Sequence, residues 1–115
     1  MEREARIKRE QNRLKKLFAD VAENRKKVVE GLIKRAAFMR ISLEDLEDDL
    51  NANGFTEPFQ QGEKQDPYDR KRPSADLYNT MNTSYQKIIK QLTDLLPNEK
   101  KEGDELMDFL GGGKY

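Results

Sequence analysis

The stretch "LYNTMNTSYQKIIKQLTDLLP", residues 77–97, limits what this chain can fold into more than any other segment. Tyr78, Met81, Tyr85, Ile88, Leu92 and Leu95 step by 3, 4, 3, 4 and 3 residues. That spacing holds one apolar stripe on one side of an α-helix. Leu77, Ile89 and Leu96 widen the stripe to the breadth of a bundle helix. Ser74 is the expected N-terminal cap of this helix, and Pro97 its expected stop. From Leu77 to Gln86 the segment carries no charge, in a chain where 38% of residues are charged. Asn79, Thr80, Asn82, Thr83 and Ser84 can be buried at low cost if hydrogen-bonded, which charged side chains cannot. Tyr78, Asn79, Met81, Asn82, Thr83 and Tyr85 therefore form a candidate interface between copies of the chain. The plainer alternative is an exposed, polar helix start.

Composition bears on that choice. Ile, Leu, Val and Phe supply 25 of 115 residues, just above the roughly 20% below which chains stop folding. A chain of this length makes one domain with a thin core, hiding roughly 60–65% of its unfolded surface. Contact with further copies would supply the missing apolar burial. The sequence has neither Cys nor His, so it lacks disulfides, thiolate metal sites and the commonest general base. No apolar run approaches the roughly 20 residues of a membrane span. The charged N-terminus shows no secretory signal. A soluble intracellular protein, with no membrane partner, is expected.

Two further helices precede the long one. In residues 2–22, Ile7, Leu14, Leu17, Phe18 and Val21 share one side. Arg6, Arg9, Arg13 and Lys16 form a basic stripe beside them. Asn24 marks a break. Residues 26–40 make a second helix, whose expected buried face is Val28, Val29, Leu32, Ile33 and Ala36. Ser42 and Asp45 then resemble a capping box, with Ile41 and Leu46 as its hydrophobic staple, and Gly54 is a C-terminal stop. A helix running unbroken through Arg40–Ser42 is the alternative. Residues 55–73 hold three of the four prolines and read as a long loop, with Phe55, Phe59 and Tyr68 pinning it to the helices. Residues 98–115 read as a mobile tail carrying one acidic-apolar patch, "DELMDFL". The organisation is thus a basic N-terminal helix (1–24), a helical core and oligomerisation domain (25–97) and a tail (98–115). The expected fold is all-α, a helical hairpin or bundle with a long C-terminal packing helix.

Zero net charge hides a separation. Residues 1–40 hold 13 Lys/Arg against 6 Asp/Glu, while residues 41–66 hold 1 against 8. Such a split suits a basic surface for a polyanion and an acidic one for a partner. Equally, helices can pack with opposite charges side by side. Charge placement alone nominates Arg6, Arg9, Arg13, Lys16, Arg25, Lys26, Lys27, Arg70, Lys71 and Arg72 as contacts to double-stranded DNA phosphates. Without interleaved aromatics, single-strand stacking is not indicated. Glu44, Asp45, Glu47, Asp48 and Asp49 read as a solvated helix face rather than a Mg²⁺ site. "GGGKY" lacks the spacing of a phosphate-cradling loop. No catalytic residue, metal site or cofactor is expected. Leu106, Phe109 and Leu110 have the spacing of a short segment that docks in a partner's groove.

"VVEGLIKRAAFMR", "LEDLEDDLNANG" and "LYNTMNTSYQKIIKQLTDLLP" resemble the small terminase subunits of tailed bacteriophages, of the short all-helical type found in phages of Gram-positive bacteria. The likeness covers roughly residues 27–97 and lies in pattern, not in a catalytic signature. It implies a ring-shaped homo-oligomer in the host bacterial cytoplasm that binds viral DNA and recruits a large ATPase-nuclease subunit, having no active site of its own. It casts Leu106, Phe109 and Leu110 as the large-subunit contact. In such a ring, the acidic 41–66 region of one copy would meet the basic 25–40 region of the next. Many such subunits begin with a helix-turn-helix domain; this chain has only the basic helix, so its DNA contacts are placed by charge. The alternatives are a structural or scaffolding interaction protein and a small dimeric DNA-binding regulator.

Overall fold

The computed structural model describes residues 2–97. Three helices and one short hairpin make up an elongated body of 63 × 28 × 26 Å. Helix α1 spans Arg3–Leu17, α2 Lys26–Asn53 and α3 Pro73–Asp94. Between α2 and α3, strand β1 (Thr56–Phe59) pairs antiparallel with β2 (Tyr68–Lys71), Thr56 opposite Lys71 and Phe59 opposite Tyr68. The fold is mostly helical, as expected, but not purely so.

Helix α2 forms the spine. Its 28 residues span about 42 Å. It runs unbroken through Arg40–Ser42, so the second and third helices expected from the capping-box pattern are one. No Gly or Pro lies between Leu32 and Asn53, and the would-be cap residues serve α1 instead. Arg3 Nη2 donates to Ser42 Oγ at 2.6 Å, and Arg3 Nη1 to Asp45 Oδ2 at 2.8 Å. The helix stops at Gly54, where φ is 81°, a backbone region that side chains with a Cβ avoid. The Gly54 N–H donates to the Leu50 carbonyl at 2.8 Å.

The main core joins all three helices and the turn after α1. Leu14, Phe18 and Val21 meet Val29, Ile33, Ala36 and Ala37 of α2 and Ile89, Leu92 and Leu96 near the end of α3. Ile41, Leu43, Leu50 and Ala75 are buried further along the pair α2–α3. Val28, expected inside, is 61% exposed, and Leu32 is half-buried. On α3, Ala75, Ile89, Leu92 and Leu96 are buried, with Tyr78, Asn82 and Tyr85 half-buried between them. These seven positions form a heptad seam. The expected seam is rotated from it by half its members: Tyr78, Tyr85 and Leu92 are shared, while Met81, Ile88 and Leu95 lie half-buried on one flank. Both stripes obey the same period, and only packing against α2 decides between them.

A polar cluster lies beside this apolar core. Glu10 of α1 is buried and takes both Nε and Nη2 of Arg13, at 2.8 and 2.6 Å. Arg40 of α2 stands 3.8 Å from Glu10 and 3.5 Å from Glu44, and its guanidinium donates to the Tyr85 hydroxyl of α3 at 3.5 Å. Burial works against the Arg40 charge, but Tyr85 and the two carboxylates outweigh it and its pKa is raised. Burial also raises the pKa of Tyr85, against the pull of Arg40.

The hairpin is held by its own aromatics, not by the helices as the sequence suggests. Phe59 and Tyr68 meet edge to face at 5.8 Å, and the Arg70 guanidinium lies 3.9 Å from the Phe59 ring centroid. Phe55 and Tyr68 remain exposed. The anchor is Arg72, whose side chain donates to the Gly54 carbonyl at 2.8 Å and to Asp49 at 3.0 Å. Ser74 is not the cap of α3: Arg72 holds that position, with Pro73 in the first helical turn, where its missing N–H costs nothing.

Two stability outcomes follow from this packing. Arg40→Met should cost about 2–3 kcal/mol, because Glu10 loses a charged partner while it stays buried. In a domain of this size that lowers the melting temperature by roughly 10–20 °C, and Glu10→Met added to Arg40→Met should recover part of the loss in a thermal-melt cycle. Gly54→Ala should cost about 1–2 kcal/mol through backbone strain alone, read as a lower urea midpoint with unchanged slope.

Candidate nucleic-acid interface

Helix rotation sorts the basic residues of α1 into two groups. With the apolar arc of Ile7, Leu14 and Phe18 turned inward, Arg6 and Arg13 fall on its edges and reach neighbouring carboxylates. Arg6 donates to Asp45 at 2.6 Å and to Glu44 at 3.2 Å, and its pKa rises, chiefly through Asp45. Arg13 is taken by Glu10. Lys8, Arg9, Lys15 and Lys16 point away from the core instead. All four are exposed, and none forms an ion pair among the described residues. Ala5, Asn12 and Ala19, all exposed, lie between them on the same face.

The ten residues nominated by charge therefore part company. Arg9 and Lys16 belong to the outward row. Arg6 and Arg13 serve the fold. Lys26 Nζ donates to the Ala19 carbonyl at 3.2 Å, bridging the turn to α2. Arg25 and Lys27 are exposed at the start of α2. Arg70 pairs with Glu57 at 2.7 Å and Arg72 with Asp49. Lys71 meets Asp76 at 3.1 Å, but both side chains are more than half exposed, and such a pair is held weakly. Lys8 and Lys15 are the functional candidates that the stripe Arg6–Arg9–Arg13–Lys16 leaves out. The signal for them is in the sequence: the point opposite the mean direction of the apolar arc falls among Ala5, Lys8, Arg9, Asn12, Lys15 and Lys16.

Half of the acidic residues of 41–66 are paired with cations within the chain. Glu44 and Asp45 face α1; Glu47 accepts from the Tyr78 hydroxyl at 2.9 Å; Asp49 holds Arg72; Glu57 holds Arg70. Among the described residues no group of three or more carboxylates is arranged to hold a metal ion, and no helix is long and apolar enough to cross a membrane.

The six candidate interface residues of α3 also divide. Tyr78 and Tyr85 are tied to Glu47 and Arg40 of α2. Asn82 lies in the α2-facing seam and Met81 on its flank, both half-buried; Asn79 and Thr83 are exposed on the outer face. Thr83 turns its hydroxyl back to the Asn79 carbonyl at 3.0 Å. Leu106, Phe109 and Leu110 lie outside the described residues.

Comparison with protein-family models, with curated proteins and with solved structures finds no match to this chain.

The Asp49 contact gives a pH dependence with a definite sign. Arg72 first, then Asn53 and Ser74, hold the Asp49 carboxyl below its ordinary value of 3.8, against some opposing desolvation. A depressed folded-state pKa adds stability above the unfolded value that is lost as pH falls through the folded one. Thermal melts of the chain and of Asp49→Asn should therefore differ at pH 7, begin to approach one another below pH about 4, and meet only below the lowered folded-state pKa of Asp49.

Proposed function

We propose that this chain is a non-enzymatic adaptor of viral DNA packaging, a small terminase subunit that binds double-stranded DNA as a homo-oligomer and brings it to a large ATPase-nuclease subunit in the host bacterial cytoplasm. One observation carries the DNA reading: the outward row Lys8, Arg9, Lys15 and Lys16, without an ion pair among the described residues and backed by a helix whose other face is fixed in the core. Such a row presents charge to a phosphate backbone without unfolding anything and without giving up an internal ion pair. Lysines suit this task, being compact point charges that ask for no fixed angle of approach. The row contains no base-reading geometry, so the contact it supports is to the backbone.

The packaging role rests on the resemblance of residues 27–97 and on the thin core. Val28 and Leu77 are large apolar side chains more than half exposed, as a subunit built to associate would leave them. Leu106, Phe109 and Leu110 remain the proposed large-subunit contact. The intrachain pairing of Glu44, Asp45 and Asp49 favours a ring closed by apolar and amide contacts over one closed by the 25–40 and 41–66 charges. The scaffolding alternative has the same row meet an acidic protein surface.

Gel shifts on duplex DNA test the reading. Four phosphate contacts give a salt slope near −3.6, so affinity should fall about 100-fold between 50 and 200 mM salt. Lys8→Glu with Lys15→Glu should abolish binding while leaving the melting temperature and oligomer mass unchanged. Arg6→Ala should do the reverse, lowering the melting temperature and sparing binding below it. Binding that survives the double charge reversal would remove α1 as the DNA face.

A further inference from the structure

The pair α2–α3 has two long sides, and α1 covers only one. On α2, α1 takes the side that carries Ala37, Ile41, Glu44 and Asp45. The other side carries Leu32, Met39 and Leu46, spaced seven apart and each half-buried. The matching flank of α3 carries Met81, Ile88 and Leu95, again seven apart and each half-buried. In an antiparallel pair these two flanks face the same way, and the Tyr78–Glu47 hydrogen bond at 2.9 Å near the far end agrees with that pairing. They line an apolar groove on the face turned away from α1. Leu32, Ile88 and Leu95 touch the core from this side; among the described residues nothing lies over them. Val28 and Leu77 stand at its two ends, 61% and 51% exposed.

We infer that the chain's own segment 104–110, through Leu106, Phe109 and Leu110, seats in this α2–α3 groove. Three features select this occupant. The first is where the described chain ends. Pro97 follows Leu95 and Leu96, at the mouth of the groove beside Val28. From there the residues leading to Leu106 extend up to about 30 Å, whereas Leu95 to Met81 spans about 21 Å of helix. The second is shape. Leu106, Phe109 and Leu110 recur at helical spacing of three and four, the arrangement by which a short helix lies in an apolar groove. The third is charge. Arg35 stands on the rim seven residues after Val28, and Arg25 lies at the mouth seven before Leu32. Both are exposed and form no ion pair among the described residues. The segment brings Asp104, Glu105 and Asp108 to that end. A seated segment would give α2–α3 a helix on each side, and it would withhold Leu106, Phe109 and Leu110 from any other partner until displaced. The inference does not depend on the packaging reading; it concerns where these residues lie in the isolated chain.

The absence of Cys makes the test direct. A nitroxide attached to full-length chain at Gly112→Cys should broaden the methyl signals of Met39 and Met81, on the two walls of the groove, and leave the Ala5 methyl on the outer face of α1 sharp. Adding Leu106→Asp, Phe109→Asp and Leu110→Asp should restore the Met39 and Met81 signals. So should Arg25→Glu with Arg35→Glu, in part, at low salt. Signals that stay sharp from the start, or broadening that persists in the triple variant, would overturn the inference. So would broadening that appears only when spin-labelled chain is mixed with separate isotope-labelled chain, because the segment would then be reaching a second copy. Sharp signals together with a dimeric mass would assign the groove to a second copy and equally end the proposal.

Discussion

Glu10 is the residue on which the arrangement of helices turns. A carboxylate with only 7% of its surface exposed must be answered by positive charge, and the answer comes from two directions: Arg13 one turn along α1, and Arg40 from the middle of α2. Arg40 in turn reaches the Tyr85 hydroxyl of α3. One buried charge thus fixes α1 against α2 at a single register and orients α3 against both. An apolar core as thin as this one tolerates sliding, because Leu, Ile and Ala contacts at neighbouring turns are nearly equivalent. A charge that is costly when unpaired does not.

The same logic extends along the α1–α2 contact. Arg3 and Arg6 meet Ser42, Glu44 and Asp45 further down the spine, so the basic N-terminal helix and the acidic middle of the chain neutralise one another in cis. Part of the charge separation visible in the primary structure is thus a pairing code for two antiparallel helices. What is left over after that pairing is narrower than the raw surplus suggests: a row of cations on the solvent side of α1, with small residues between them.

Much of the architecture is legible before any coordinates. The long α3, the helical character of residues 3–17, the break near Asn24, and the stop at Gly54 all follow from period and from a glycine with no alternative. Three features are not legible, each for a physical reason. The Ser42–Asp45 capping pattern is genuine locally, but α1 claims both side chains, and no sequence window of that length includes Arg3. The seam of α3 is ambiguous because apolar residues fill two adjacent heptad stripes; the choice between them belongs to the partner helix. The hairpin of residues 56–71 hides in a stretch rich in Pro and Gly, held by Phe59, Tyr68 and Arg70 across strands, contacts that no helical or alternating pattern announces. For the candidate interface, the stripe read from sequence shares Arg9 and Lys16 with the outward row of α1 and leaves out Lys8 and Lys15. Arg6 and Arg13 look as available as Arg9 and Lys16 until Glu44, Asp45 and Glu10 are seen to hold them.

The unbroken course of α2 makes the molecule a strut. Its two ends, one bearing the basic row of α1 and the other the hairpin clasped by Arg72, are joined by a single continuous ladder of backbone hydrogen bonds with no hinge glycine or proline between Lys26 and Asn53 other than Gly31 near its start. The separation between the hairpin and the first turns of α2 is therefore set by one helix and not by a jointed path.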